Sequence, residues 1–425
     1  MSEARSHGKT ISEKILSAKS GTDARVGDTV VCRADGLVGT DGSIPMAIDY
    51  FDKMGGSRVV DPERIVFALD HYAPATTPQT ASLHDKIRDF ARRHGITVNE
   101  VGEGISHQLV VESGRAEPGN LFIGADSHSV TYGALNVFAI GIGSSDLAAA
   151  MISGKIWLKV PETIQVVLSG TMPEGVFAKD IALALVGELG ADGAAYKALE
   201  FSGPAVAHLE IDDRLVLSNM AAEMGAKAGL FPADDKTFAY LQNNDHARAE
   251  ATASDPDAGY SRQMAVDLSG LRPQVALPHH VDKVVPVDTA GDVPIHMVYL
   301  GTCTGGRVGD FRQALEVLKA GGNVAPETKL VVAPASRAVL EELTRDGIMG
   351  EFAALGAVVL TPGCGTCCGT CGEIPGDGVN VISTANRNFK GRMGNAEAAI
   401  YLASPATCAA SAVRGRITDP RELRR

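Results

Sequence analysis

No run of about 18 consecutive apolar residues occurs in this 425-residue chain, so nothing in it reads as a membrane-spanning helix. The opening residues, MSEARSHGKT, lack the apolar segment of a secretory signal, and a cytoplasmic location is expected. A basic stretch is also missing: 39 Lys and Arg stand against 51 Asp and Glu, a net charge of -12. That balance disfavours sequence-independent binding to nucleic acid or to a membrane surface, and it requires any anionic ligand to meet a local Arg or Lys cluster. There is no internal repeat and no low-complexity block. Cysteine is scarce, and the seven present are odd in number and clustered, unlike a secreted disulfide framework. In a reducing compartment such clusters bind metal or do redox chemistry.

What the chain does contain is 45% hydrophobic residues and 47 glycines, the composition of a soluble globular protein with many tight turns. Short apolar runs alternate with longer helix-patterned segments, which predicts an α/β fold with parallel sheets and crossover helices. Five runs read as buried strands: IVFAL (65–69), NLFIG (120–124), MVYLG (297–301), AVVL (357–360) and VNVIS (379–383). Each is followed by polar chemistry: DH (70–71), ADSHS (125–129), TCTGGR (302–307), TPGCGTCC (361–368) and TANRN (384–388). Ligands in open parallel sheets bind beyond the strand carboxyl ends, so these exits are the candidate site. Helices are expected over GDFRQALEVLKAG (309–321) and SSDLAAAMISGKIW (144–157). The polar stretch from about 241 to 275 precedes an expected domain boundary near 285.

Four cysteines fall within eight residues, Cys364, Cys367, Cys368 and Cys371, and Cys303 stands alone at the end of its own strand. One reading is a structural zinc site, although the two C-x2-C pairs abut, which makes a single tetrahedral site awkward. The other joins Cys364 and Cys367 to Cys303 as three corners of an iron–sulfur cluster, leaving one iron free to act as a Lewis acid. Cys32 and Cys408 read as buried apolar thiols.

TCTGGR (302–307), PGCGTCCG (362–369) and STANRNFKGRMGN (383–395) resemble the cluster- and substrate-binding motifs of the aconitase superfamily. DH (70–71), GISHQ (104–108), GADSHS (124–129) and LEFSG (199–203) fall in that family's order, so the resemblance covers nearly the whole chain. It implies three aconitase-type α/β domains with mainly parallel sheets around a 4Fe-4S cluster, with boundaries expected at 1–130, 131–285 and 286–425. Within the family the chain is most similar to the large subunits of 3-isopropylmalate dehydratases and their relatives.

That resemblance implies cluster ligation by Cys303, Cys364 and Cys367, with Cys368 and Cys371 as spare thiols beside the loop. It implies acid/base and hydrogen-bonding roles for Asp70, His71, His107, Asp126 and His128, and places Glu200 near the reacting oxygen. Arg387 and Arg392 are expected to bind substrate carboxylates, together with Ser127, and Asn386 to hydrogen-bond the cluster sulfurs. Two departures are present: Gly305 stands where Asn is common, and TDGSIP (40–45) lacks an opening His or Gln. The chain ends at Arg425 without the swivelling C-terminal domain of single-chain aconitases, so a separate small subunit carrying that domain and a catalytic serine is expected. The implied reaction is dehydration and rehydration of a hydroxy diacid, 2-isopropylmalate to 3-isopropylmalate. Homoaconitase, dimethylmalate dehydratase and maleate or citraconate hydratase chemistry are the alternatives. An iron-responsive RNA-binding regulator is a rival from another class, disfavoured by the acidic balance, and a zinc-stabilised non-catalytic protein is a third.

Overall fold

The computed structural model describes residues 7–242 and 251–423, so part of the polar stretch noted above, residues 243–250, lies outside the described residues. Three open sheets form the frame. The first runs, in spatial order, Thr97–Asn99, Ile65–Ala68, Gly36–Thr40, Leu121–Gly124 and Phe138–Gly141, all parallel. The second, also parallel, runs Ala228–Leu230, Ala198–Ser202, Thr163–Ser169 and Arg262–Asp267. The third runs Val284–Pro286, Gln274–Ala276, Ala399–Ala403, Asn380–Ser383, Met297–Gly301, Lys329–Ala333 and Val358–Val359, antiparallel only around Gln274–Ala276.

All five apolar runs read from the sequence are strands of the first or third sheet. Ile65–Ala68, Leu121–Gly124 and Met297–Gly301 are buried on both faces, which is why they read as continuous apolar runs without alternation, whereas Val358–Val359 lies partly exposed at the sheet edge. Phe138–Gly141 pairs with Leu121–Gly124, so the first sheet continues past residue 130.

The expected helix over 144–157 stops at Ser153. Gly154, at φ 69°, caps it by donating its N–H to Ala150 O, and Lys155–Lys159 turns into a strand pairing antiparallel with Thr29–Arg33. The second helix runs Val308–Gly321, and Asp310 closes its first turn by accepting the Arg307 N–H at 2.9 Å.

Packing between sheets and helices leaves the strand carboxyl ends of the first and third sheets facing one another. Cys364 N–H donates to Asp70 O at 2.7 Å, and Ile105 N–H donates to Ala335 O at 2.8 Å. Gly369, at φ 69°, lies so close to Gly394 that a Cβ would come within 2.2 Å of its backbone nitrogen, which fixes the cysteine loop against the arginine loop.

Candidate active site

At the end of Ile65–Ala68 the chain delivers Asp70 and His71. Asp70 Oδ1 meets His71 Nδ1 at 2.8 Å, and Oδ2 accepts the Ser106 N–H at 2.8 Å. His71 Nε2 then faces Asp126 Oδ2 at 3.6 Å. Asp126, from the exit of Leu121–Gly124, is the hub of the network. Its Oδ1 meets His107 Nε2 at 2.9 Å and accepts the His128 N–H at 2.8 Å. His107 Nδ1 is held in turn by the Tyr132 hydroxyl at 3.2 Å.

These contacts set the charges. Burial opposes the imidazolium of His71, but Asp70, with Asp126, outweighs it and raises the pKa well above the usual histidine value. Burial likewise opposes the Asp126 carboxylate, while His107, and then the bonds from His128 and His71, hold it well below the ordinary range. His71 and Asp126 therefore face each other as a charged pair at neutral pH.

Glu200 is not part of this network, which corrects the sequence expectation. Its carboxylate accepts from the Ser254 hydroxyl at 2.6 Å, the Tyr260 hydroxyl at 2.7 Å and the Ile11 N–H at 3.3 Å, tying the N-terminal helix to the second sheet. The glutamate at the site is Glu223. Its Oε1 lies 2.7 Å from His128 Nε2 and its Oε2 accepts from Arg387 Nε at 3.0 Å. Burial opposes its charge, but the His128 bond and then Arg387 keep the carboxyl below its ordinary value. Sequence reasoning missed it, yet a signal was present: Asn219 and Glu223, four apart, are polar positions in the otherwise apolar segment NMAAEM (219–224).

Asn219 is the second missed residue. Its Nδ2 donates to Cys303 Sγ at 3.1 Å, and its Oδ1 accepts from Asn386 Nδ2 at 3.1 Å. Asn386 Nδ2 also reaches Cys303 Sγ at 3.4 Å, and its Oδ1 lies 3.8 Å from Cys367 Sγ. A third missed group is Asp41 of TDGSIP, fully buried, which accepts the His71 and Tyr72 N–H groups and meets His84 Nε2 at 2.9 Å.

Arg387 completes the rim by donating from Nη2 to Ser127 Oγ at 2.9 Å, at the exposed mouth of the cleft. Arg392 donates from Nη2 to Cys367 Sγ at 3.5 Å, and its buried Nε has no protein partner. The bond with Cys364, and then Arg392, holds the Cys367 thiol well below its ordinary value against the effect of burial. Cys371 turns away, its Sγ 3.2 Å from Ala73 O, whereas Cys368 stays beside Cys364, whose hydrogen bond holds its thiol down to about 7, and its Sγ also lies 2.9 Å from Thr370 Oγ1.

The donor set suits a polynuclear thiolate group. Cys303, Cys364 and Cys367 are buried free thiols, and amide and guanidinium donors are aimed at Cys303 and Cys367. The groups that close around a common point tightly enough for one ion are His107–Asp126–His128 and Asp41–Asp70–His71 among the described residues; the four local cysteines do not, which weakens the zinc reading.

Residues 13–415 match the model of the aconitase family (aconitate hydratase). The chain belongs to this family. It is 45% identical over 97% of its length, and 99% of the relative's, to a Methanopyrus kandleri protein named 3-isopropylmalate dehydratase large subunit 1. It is 45% identical over 98% of its length, and all of the relative's, to the Thermotoga maritima protein of the same name. A Methanosarcina mazei protein named probable methanogen homoaconitase large subunit is 47% identical over 90% of this chain and 97% of its own. Among solved structures, Thermococcus kodakaraensis aconitase X in its holo form superposes with a TM-score of 0.51 at 12% identity, covering 86% of this chain and 89% of that one, a likeness of fold. This family member thus has the α/β architecture expected from its sequence, with mainly parallel sheets.

Proposed function

We propose that this chain is the large subunit of a hydro-lyase of the 3-isopropylmalate dehydratase type, interconverting 2-isopropylmalate and 3-isopropylmalate through 2-isopropylmaleate. The observation that carries the reading is the meeting of three buried thiols, a charged His71–Asp126 pair and two arginines at facing strand ends, in a chain similar over its whole length to large subunits of that name.

In this reading Cys303, Cys364 and Cys367 hold a 4Fe-4S cluster, with Asn219 and Asn386 donating to the Cys303 sulfur. The cluster, when bound, supplies Lewis acidity through an iron without a protein ligand. Arg387 and Arg392 bind carboxylates of the diacid, the unpartnered Nε of Arg392 being one free donor, and Ser127 orients Arg387 from the rim. His71, held as an imidazolium by Asp70 and Asp126, delivers its Nε2 proton to the departing hydroxyl oxygen, which leaves as water. His107 and His128 fix the Asp126 carboxylate from either side. The carbon-bound proton goes to a base on a separate small subunit, the partner that the relatives' names imply.

Glu200 keeps no catalytic part in this reading, and Glu223 takes the position near the reacting oxygen. A division into three α/β units following the three sheets is part of the same proposal.

The homoaconitase-named relative supports a second substrate, a homologous tricarboxylic acid. One extra methylene in an apolar pocket is worth only about 1–3 kcal/mol, so the substrate's third substituent is decided by few contacts. The test is anaerobic reconstitution with the small subunit, following the ultraviolet absorbance of unsaturated diacids over isopropylmalate, homocitrate, dimethylmalate, maleate and citraconate. Fastest turnover of 2-isopropylmalate upholds the assignment. Preference for another acid moves the substrate, and no turnover of any of them by a cluster-loaded complex overturns the reading.

A further inference from the structure

Lys179 is a buried cation that the proposed chemistry does not use. It sits in the first turn of the helix Ala178–Leu189, 2% exposed, and its Nζ reaches across to the third sheet. There it donates to Ala385 O at 2.7 Å, Thr384 O at 3.1 Å and Thr304 Oγ1 at 3.2 Å. The two carbonyl oxygens can only accept. The Thr304 hydroxyl gives its own proton to Thr384 O at 2.8 Å, so it too accepts from the lysine. Three oxygens therefore take three N–H protons, which is the ammonium form.

Among the described residues no carboxylate oxygen comes within 4.0 Å of Nζ. The remaining neighbour, Met220 Sδ at 3.6 Å, is uncharged. An ammonium removed from water without an anion beside it is costly, and such groups are retained where a charge partner is supplied. Asp212, Asp213 and Asp310 line a small neighbouring cavity with Lys179, and burial shifts all three toward their neutral forms. Burial lowers the lysine's pKa, to about 8, and the groups that oppose this are the sulfurs of Cys303 and Cys367, ahead of Cys408 and Glu223.

The oxygens it holds are also telling. Thr304 follows Cys303, and Thr384 and Ala385 precede Asn386 and Arg387. One side chain thus ties the loop bearing a proposed cluster ligand to the loop bearing the sulfur-donating amide and the carboxylate-binding arginine.

We propose that Lys179 is a positioning residue that clamps these two loops together and serves as the buried counter-cation of the thiolate-bound cluster, an inference that rests on the cluster reading above. The charge and the clamp separate by substitution: Lys179→Gln keeps N–H donors without the charge, Lys179→Met removes both, and Lys179→Arg keeps the charge.

The experiment uses the two-subunit complex reconstituted anaerobically with iron and sulfide. It reads the cluster's reduction potential by EPR-monitored titration, the rate of iron loss to a chelator, and the melting temperature of the cluster-free chain. Lys179→Gln and Lys179→Met are expected to make the potential more negative and to speed iron loss about tenfold or more, on the scale of groups that support a metal site from outside its ligands. The cluster-free Lys179→Gln chain is expected to melt no lower than the parent, because it no longer buries an uncompensated charge. Lys179→Arg is expected to restore the potential. An unchanged potential in Lys179→Gln, or equal destabilisation of the cluster-free and loaded forms, reduces the residue to a structural tie and overturns the proposal. Should Lys179→Arg fail to fold, the Gln variant against the parent still decides. A parent complex that takes up no iron defeats the cluster reading itself, and this inference with it.

Discussion

Two glutamates separate at the scale of single residues. Glu223 bridges His128 and Arg387, whereas Glu200 accepts from Ser254, Tyr260 and Ile11 at the far side of the second sheet. Glu223→Gln is expected to lower kcat by about 100-fold or more, the scale of a lost proton-transfer or orienting partner, with the cluster's visible absorbance retained. Glu200→Gln is expected instead to cost about 1–3 kcal/mol of stability by unbalancing a buried set of hydrogen bonds, read as a lower melting temperature, with kcat near that of the parent. His71 offers a pH test. Its folded pKa is raised, so its charge contributes stability that is complete below the ordinary value of 6.5 and is lost as pH rises through the higher folded value. Asp126 is shifted the other way, contributing above 3.8 and losing that contribution as pH falls through its lower folded value. Asp70→Asn removes the largest favourable influence on His71, and histidine-selective NMR of the cluster-free chain should show that imidazole titrating nearer 6.5.

Loops and strands carry the next level. Thr302, at φ 74°, is a non-glycine residue in the left-handed region at the entry to the Cys303 loop. Its hydroxyl accepts the Thr304 N–H at 3.1 Å, which holds the unfavourable turn in place. Three residues on, Gly305 explains its own departure from the family pattern: a Cβ there would meet the Thr384 side chain at 2.3 Å. Gly305→Ala should therefore push apart the loops that Lys179 ties, costing about 1–3 kcal/mol in denaturant unfolding and accelerating cluster loss. The sequence disclosed these loops because their strands are buried on both faces and end in unusual polar residues. It did not disclose where helix 144–153 stops. Gly154 could have continued the pattern at modest cost, and the decision came from the pairing of Lys155–Lys159 with Thr29–Arg33, a partner more than a hundred residues away.

For the whole molecule, the cleft between the first and third sheets presents Ser127 and Arg387 at an open mouth, and no base for a carbon-bound proton is assigned on this chain. The large subunit alone, cluster-loaded, is expected to turn over at less than about a hundredth of the rate of the two-subunit complex. Titrating in the small subunit should raise kcat to a stoichiometric plateau, and full activity without it would refute the division of labour. Among the described residues no helix is long and apolar enough to cross a membrane, in keeping with a chain that shows no such run in its sequence. The sequence by itself determined the α/β class and the strands that frame the cleft, and it singled out Cys303, Cys364, Cys367 and the histidine–aspartate pairs as the candidate site. Each of these is a local pattern: an apolar run, or reactive residues at its exit. Only the tertiary structure decided that Glu223 rather than Glu200 faces the histidines, that Asn219 and Asn386 converge on one sulfur, and that Lys179 is buried with no carboxylate within ion-pair distance among the described residues. Those facts depend on contacts between residues 83 to 206 positions apart, where packing, and not local pattern, chooses the neighbour.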